Sequence, residues 1–222
     1  SLFLFSYLND FSILLFSLMF LATLACYEIG YLYNDIITTK NEISPTIRNT
    51  EWFEAHLGLA VVIRVAFCLT CLLLVFVSTD IYSALLLLFG MFSIQLAFFF
   101  HNTVRSKLNI VSYFSLVSFR YVTPIIPFVS LEDVIIVILA FPLCRTIEHA
   151  CKKKYGFSSL QSLISNFDIY RVAYYSLFTV LSYFVDDTRV VFYSFLYFAC
   201  IRSLALAVSK LHFFKRSKHK SY

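Results

Sequence analysis

Apolar residues run along this chain in long blocks broken by short polar stretches, with none of the strict alternation that marks a half-buried strand. Seven blocks approach the roughly 20 mainly apolar residues that a bilayer-crossing helix needs. They lie near 11–33, 57–78, 81–100, 109–130, 133–149, 169–185 and 189–210. Ahead of them, Ser1 leads straight into Leu2-Phe3-Leu4-Phe5 with no basic region, unlike a signal peptide. Residues 1–7 therefore read as the tail of an earlier helix, and the true N-terminus is expected to be missing. The predicted fold is all-α: a polytopic transmembrane helical bundle of seven full helices plus the end of an earlier one. Residues 1–222 form a single integral membrane domain in this reading, because no repeat or low-complexity linker divides them.

Composition excludes a water-soluble domain. Hydrophobic residues make up 60% of the chain, charged residues only 14%, and the mean hydropathy is +0.80. The net charge of +5 is sided if successive blocks alternate across the bilayer. Lys40, Arg48, Arg105, Lys107, Lys152, Lys153 and Lys154 fall on one face with the basic tail 210–222, while the opposite turns are acidic. The positive-inside rule makes the basic face and the C-terminus cytoplasmic. Contact with anionic membrane lipids follows, and nothing points to nucleic acid. The six cysteines mostly lie inside apolar blocks, where a thiol packs as a small hydrophobe. With only four glycines, large side chains must fill the bundle.

Two polar stretches carry candidate chemistry, near 34–56 and 150–168. In the first, Asn34, Asp35, Thr38 and Glu42 have the spacing of one face of a continuing α-helix, ended near Ser44 by Pro45, with Arg48 beyond as a cation suited to phosphate. In the second, Arg145, Glu148, Lys152 and Gly156 include the same four-residue step at another helix end. Acids at the mouth of a membrane helix are costly and imply a ligand, a metal or phosphate being the usual one.

These residues give the chain a resemblance to the UbiA superfamily of intramembrane prenyltransferases, as a divergent member. The superfamily signatures Asn-Asp-x-x-Asp-x-x-x-Asp and Asp-x-x-x-Asp-x-x-x-Gly correspond here to Asn34-Asp35-x-x-Thr38-x-x-x-Glu42 and Glu148-x-x-x-Lys152-x-x-x-Gly156. Between them, His101-Asn102-Thr103-Val104-Arg105, with Lys107 close by, stands where the family has Tyr-x-x-x-Lys. The resemblance implies a bundle opening to lipid, in a bacterial inner membrane, that transfers a prenyl group from a diphosphate donor with magnesium (Mg2+) as cofactor. Asp35, Glu148 and Lys152 become the catalytic candidates. Asp35, Glu42 and Glu148 become the metal candidates, and Asn34, Arg48, Arg105, Lys107, Arg120 and Arg145 bind substrate. Thr38 and Lys152 replace family carboxylates, which shifts the site toward one metal and direct cation–phosphate contact. That shift keeps open the family branch that transfers phosphoribose from phosphoribosyl pyrophosphate to a polyprenyl phosphate. A non-enzymatic membrane subunit or a transporter is the remaining alternative.

Arg64, Arg120 and Arg202 fall inside apolar blocks. Arg64 is expected to snorkel, and Arg120 to face a cavity or pair with a buried carboxyl or carbonyl. Arg202 is left open between the core and lipid phosphate. Glu28 is expected to pair with Arg64 or Arg202, or to orient a ligand. The five histidines show no metal-ligand spacing and read as structural or interfacial.

Overall fold

The computed structural model of the chain describes residues 12–38, 51–104, 106–185 and 190–210. Every regular element among them is helical. Helix α1 (Ile13–Tyr33) runs into a π-helical turn, Asn34–Thr38. The short α2 (Glu51–Ala55) precedes α3 (Leu57–Ser78), α4 (Ile81–Thr103) and α5 (Asn109–Val122). Then come α6 (Leu131–Ile138), a second π-helical segment (Leu139–Leu143) and α7 (Cys144–Ala150). Helices α8 (Ser158–Leu163), α9 (Phe167–Val185) and α10 (Val190–Lys210) follow.

Four stretches among the described residues are long and apolar enough to cross a membrane: Ile13–Thr38, Leu57–Ser78, Ile81–Thr103 and Val191–Ser209. The other predicted spans are helical but differ in form. The block at 109–130 leaves the α-helix at Val122, where Pro124 and Pro127 supply no amide hydrogens to continue it. At 14 residues α5 is about 21 Å long, short of a hydrocarbon core of about 30 Å. The block at 133–149 is interrupted by the π-helical segment that contains Pro142, the usual way a helix absorbs a residue lacking its N–H. Helix α9 begins at Phe167, two residues before its apolar block, and so takes in Asp168. The first seven residues and the basic tail beyond 210 lie outside the described residues, as do Lys40, Glu42, Pro45, Arg48 and Arg105.

The chain divides into two compact units, one ending at Pro142 and the other beginning at Leu143. In the first, α1, α3 and α4 share a core of Met19, Ala22, Cys26 and Tyr27 with Cys68, Cys71 and Val75 and with Leu87, Ile94 and Phe98. The thiols act as expected of small hydrophobes, with weak bonds from Cys26 Sγ to the Met91 carbonyl and from Cys68 Sγ to the Ala22 carbonyl, both 3.4 Å. Two glycines mark the closest approaches. A Cβ on Gly30 would lie 2.1 Å from Phe98 Cδ2, and one on Gly90 2.4 Å from Thr123 Cγ2. Gln95 adds a bond the apolar pattern hides, its Nε2 donating to the Cys26 carbonyl at 2.6 Å across α4 and α1. Outward, Val62, Leu73, Val77, Phe89 and Phe92 are 60–73% exposed, a continuous apolar surface of the kind lipid covers.

Helix ends are set by side chains. Asp80 caps α4 by accepting the Ser83 amide at 2.7 Å, and those bonds hold its carboxyl below the usual aspartate range. Asn109 closes the other end of α4, its Nδ2 donating to the His101 and Val104 carbonyls at 2.8 and 2.9 Å. Ser130 and Asp133 form a reciprocal capping box on α6.

In the second unit, α9 and α10 pack as an antiparallel pair stapled by rings. Tyr175 stacks on Phe198 at 5.1 Å, and Phe178 on Phe195 at 5.2 Å. The inner stripe of α10 is Val191, Phe195 and Ala199, all buried, followed by the half-buried Arg202 and Leu206.

Candidate functional site

The first motif does not continue as an α-helix. Over Asn34–Thr38 the backbone widens to π-helical bonding, which pushes later side chains off the α-helical face. The predicted single face of Asn34, Asp35 and Thr38 is replaced by a split arrangement: Ile36 and Thr38 are buried, while Asn34 and Asp35 stay half-buried. Ile36 anchors the turn in a small cluster with Leu32 and Ala60, flanked by Phe53 and Leu57. On the polar side Asn34 Nδ2 donates to Asp35 Oδ1 at 3.2 Å, fixing one carboxylate oxygen with a neutral donor.

Below this end, Glu28 and Arg64 pair as expected. Arg64 Nη2 and Nε lie 2.9 and 3.0 Å from Glu28 Oε2, and Nη1 donates to the Ala60 carbonyl. Arg120 takes neither expected partner. Its guanidinium sits 4.7 Å over the Tyr27 ring and makes no ion pair among the described residues. Tyr27 in turn packs edge-on against Tyr31 and Phe98, so a cation rests on an aromatic cluster that α1 and α4 supply together.

The third element, at the end of α4, is partly described. His101 Nδ1 meets Ser112 Oγ at 3.2 Å, and Lys107 lies exposed in the turn before α5. Asn102 is buried with its Oδ1 unpartnered, an acceptor waiting for a donor.

The second motif belongs to the second unit and is an ion network. Glu148 is held by Arg171 in a two-pronged fork, Nε to Oε1 at 2.5 Å and Nη2 to Oε2 at 2.9 Å. Arg145 Nη1 adds a bond to Oε2 at 3.1 Å, and Arg171 Nη1 reaches Asp168 at 3.0 Å. The Glu148 and Arg171 side chains are only 11% and 15% exposed, so each guanidinium–carboxylate contact is poorly screened. Arg171 carries this arrangement and the sequence reading missed it. Its signal was a lone arginine one turn into an apolar helix, three residues after Asp168.

Lys152 is not on the Glu148 helix. Helix α7 ends at Ala150, a 3-10 turn covers Lys153–Tyr155, and Gly156 takes a left-handed φ of +72°. The four-residue step from Glu148 to Lys152 to Gly156 thus marks a helix end and turn rather than a face. His149 shares a buried hydrogen bond with the Tyr155 hydroxyl at 2.6 Å, the structural role expected of it. Burial, then the Glu148 charge, pushes the Cys151 thiol up and makes it a poor nucleophile.

Asp35 and Glu148 therefore sit in different units. Among the described residues no three His, Cys, Asp or Glu side chains converge where they could hold a metal ion. A cavity of about 340 Å³ lies between α3 and α4, lined by Leu69, Leu73, Phe76, Leu85 and Leu88, and none of the candidate residues lines it. Comparison with known protein families, with characterised proteins and with solved structures gives no match to this chain.

Proposed function

We propose that this chain is an integral membrane transferase of the UbiA type, using a diphosphate donor and a polyprenyl substrate at the cytoplasmic face of a bacterial inner membrane, with prenyl transfer as its reaction. The observation that carries this reading is the end of α1. An apolar helix of membrane-crossing length there gives way to a π-helical turn that presents a half-buried aspartate steadied by its asparagine neighbour. An acid in that position costs free energy that a ligand would repay, and π turns are frequent at functional sites.

Asp35 fits magnesium: it offers a hard carboxylate oxygen, and Mg2+ is typically held by one or two carboxylates plus substrate phosphates and water. Glu42 would be the second donor. Glu148 fits poorly, because both its oxygens already accept from guanidinium groups. Magnesium, when bound, neutralises diphosphate charge as it develops on the leaving group. In the transfer the donor carbon–oxygen bond breaks, pyrophosphate departs, and the acceptor atom takes the carbon and gives up a proton. This chain's residues bind and orient. Asn34 holds the Asp35 carboxylate, and Arg48, Arg105 and Lys107 take phosphate charge; within the other unit Glu148 positions Arg145 and Arg171. Arg120, seated on Tyr27, faces the substrate head group.

A second reading, phosphoribosyl transfer to a polyprenyl phosphate, is favoured by the guanidinium groups gathered at Glu148, since two anionic substrates need more fixed cations than one. Membranes containing the protein, supplied in turn with a prenyl diphosphate and with phosphoribosyl pyrophosphate, separate the two readings by which donor is consumed. Asp35→Asn is expected to abolish product with either donor. Undiminished turnover in that variant would remove Asp35 from the site, and no consumption of either donor would favour a non-enzymatic subunit or a transporter.

A further inference from the structure

Helices α9 and α10 set two arginines at one level. Tyr175 and Phe198 stack across the pair, and Arg171 lies four residues before the first ring as Arg202 lies four after the second. In an antiparallel pair each is then one turn beyond the same contact, on the face that carries the ring. Arg202 continues the inner stripe of α10, and Arg171 belongs to the Glu148 network.

Among the described residues, Glu148 and Asp168 are bonded to Arg145 and Arg171, and neither is bonded to Arg202. Arg202 Nε is buried and has no hydrogen-bond partner. A guanidinium inside an apolar span is costly, and a buried donor without an acceptor adds to that cost. Its depth limits what can reach it. Seven residues separate Arg202 from Ser209, the end of the span, which is about 10 Å along the helix axis. A long side chain covers much of that distance by snorkelling.

We infer that Arg202 binds the phosphate of a membrane lipid. The planar fork of a guanidinium matches a phosphate oxyanion bidentately, and a phosphate brings the acceptor Nε lacks. The exposed Ile201, Leu204 and Val208 make an apolar stripe alongside for the hydrocarbon tail. Both a phospholipid head group and a polyprenyl phosphate present this chemistry. The site stands on the α9–α10 geometry and does not rest on the transferase reading.

The test uses the full chain in nanodiscs of mixed phosphatidylcholine and phosphatidylglycerol, released gently and weighed by native mass spectrometry. The wild type is expected to retain phosphatidylglycerol over phosphatidylcholine. Arg202→Gln should lower that retention about tenfold, the worth of a hydrogen bond to a charged group. Arg202→Lys should lose several-fold, keeping the charge without the fork. A wild type without preference for the anionic lipid would overturn the site, as would either folded variant retaining as much as wild type. Should Arg202→Gln fail to fold, the lysine variant decides. Added polyprenyl phosphate distinguishes the sources: displacement of phosphatidylglycerol assigns the seat to a lipid-linked substrate, and persistence assigns it to phospholipid. Asp35→Asn should leave retention unchanged, which separates this site from the one proposed at α1.

Discussion

The two motif carboxylates sit at helix ends of different kinds. Asp35 is steadied by the neutral amide of Asn34 at a widened helix end, whereas Glu148 lies between Arg171 and Arg145 with both oxygens occupied. A metal ion needs carboxylate oxygens that are not already given to cations, which counts against Glu148. The second end holds guanidinium groups in fixed positions, which suits an oxyanion instead. An acidic motif in a sequence can therefore lose its fitness for a cation by the arrival of a single arginine.

Stability should expose the contrast most sharply. Glu148→Ala removes the carboxylate that Arg171 and Arg145 share, leaving Arg171 its Asp168 bond, and is expected to cost about 3 kcal/mol in denaturant unfolding of the purified protein. A Glu148→Met/Arg171→Met double variant should recover most of that, because the cost comes from an uncompensated charge. Asp35→Asn should cost less than Glu148→Ala, and a reversed order would break the comparison. Next in size is the α1–α4 contact. Gly30→Ala must displace the Phe98 ring and is expected to cost about 2 kcal/mol, whereas Gly58→Ala meets nothing within 4 Å and should be neutral or slightly stabilising. Thermal unfolding of the two variants side by side checks both.

The Glu28–Arg64 pair should contribute about 0.5 kcal/mol in a double-mutant cycle, since the Glu28 side chain is 58% exposed. The smallest effect belongs to Asp80. Its folded pKa is lowered by the Ser83 bonds, so its contribution is present above the unfolded value near about 3.9 and fades as pH falls through the folded one. Asp80→Asn should flatten the acid limb of a melting-temperature profile while leaving the neutral region nearly unchanged.

Apolar block length alone located α1, α3, α4 and α10, because a bilayer-length run of Leu, Phe and Val has few other uses. It failed where backbone chemistry intervenes. Proline shortened α5 and interrupted the α6–α7 stretch, and the π-helical turn after Tyr33 shifted the first motif off its α-helical face. The Asn34–Asp35 contact was legible because the two are neighbours. The partner of Glu148 was not, because Arg171 is 23 residues away and reaches it only once α7 and α9 pack. Likewise Arg120 is expected from sequence to face a cavity or to pair with a buried carboxyl or carbonyl, and its seat on Tyr27 depends on how α5 meets α1.

Of the two motif carboxylates, Asp35 is the one proposed to hold metal. Mn2+, standing in for Mg2+, can be titrated by electron paramagnetic resonance into the reconstituted full chain with pyrophosphate present, for the wild type, Asp35→Asn and Glu148→Gln. Bound Mn2+ in the wild type and in Glu148→Gln, lost in Asp35→Asn, is the predicted result. Loss in Glu148→Gln with retention in Asp35→Asn, or no bound Mn2+ in any of the three, would contradict it.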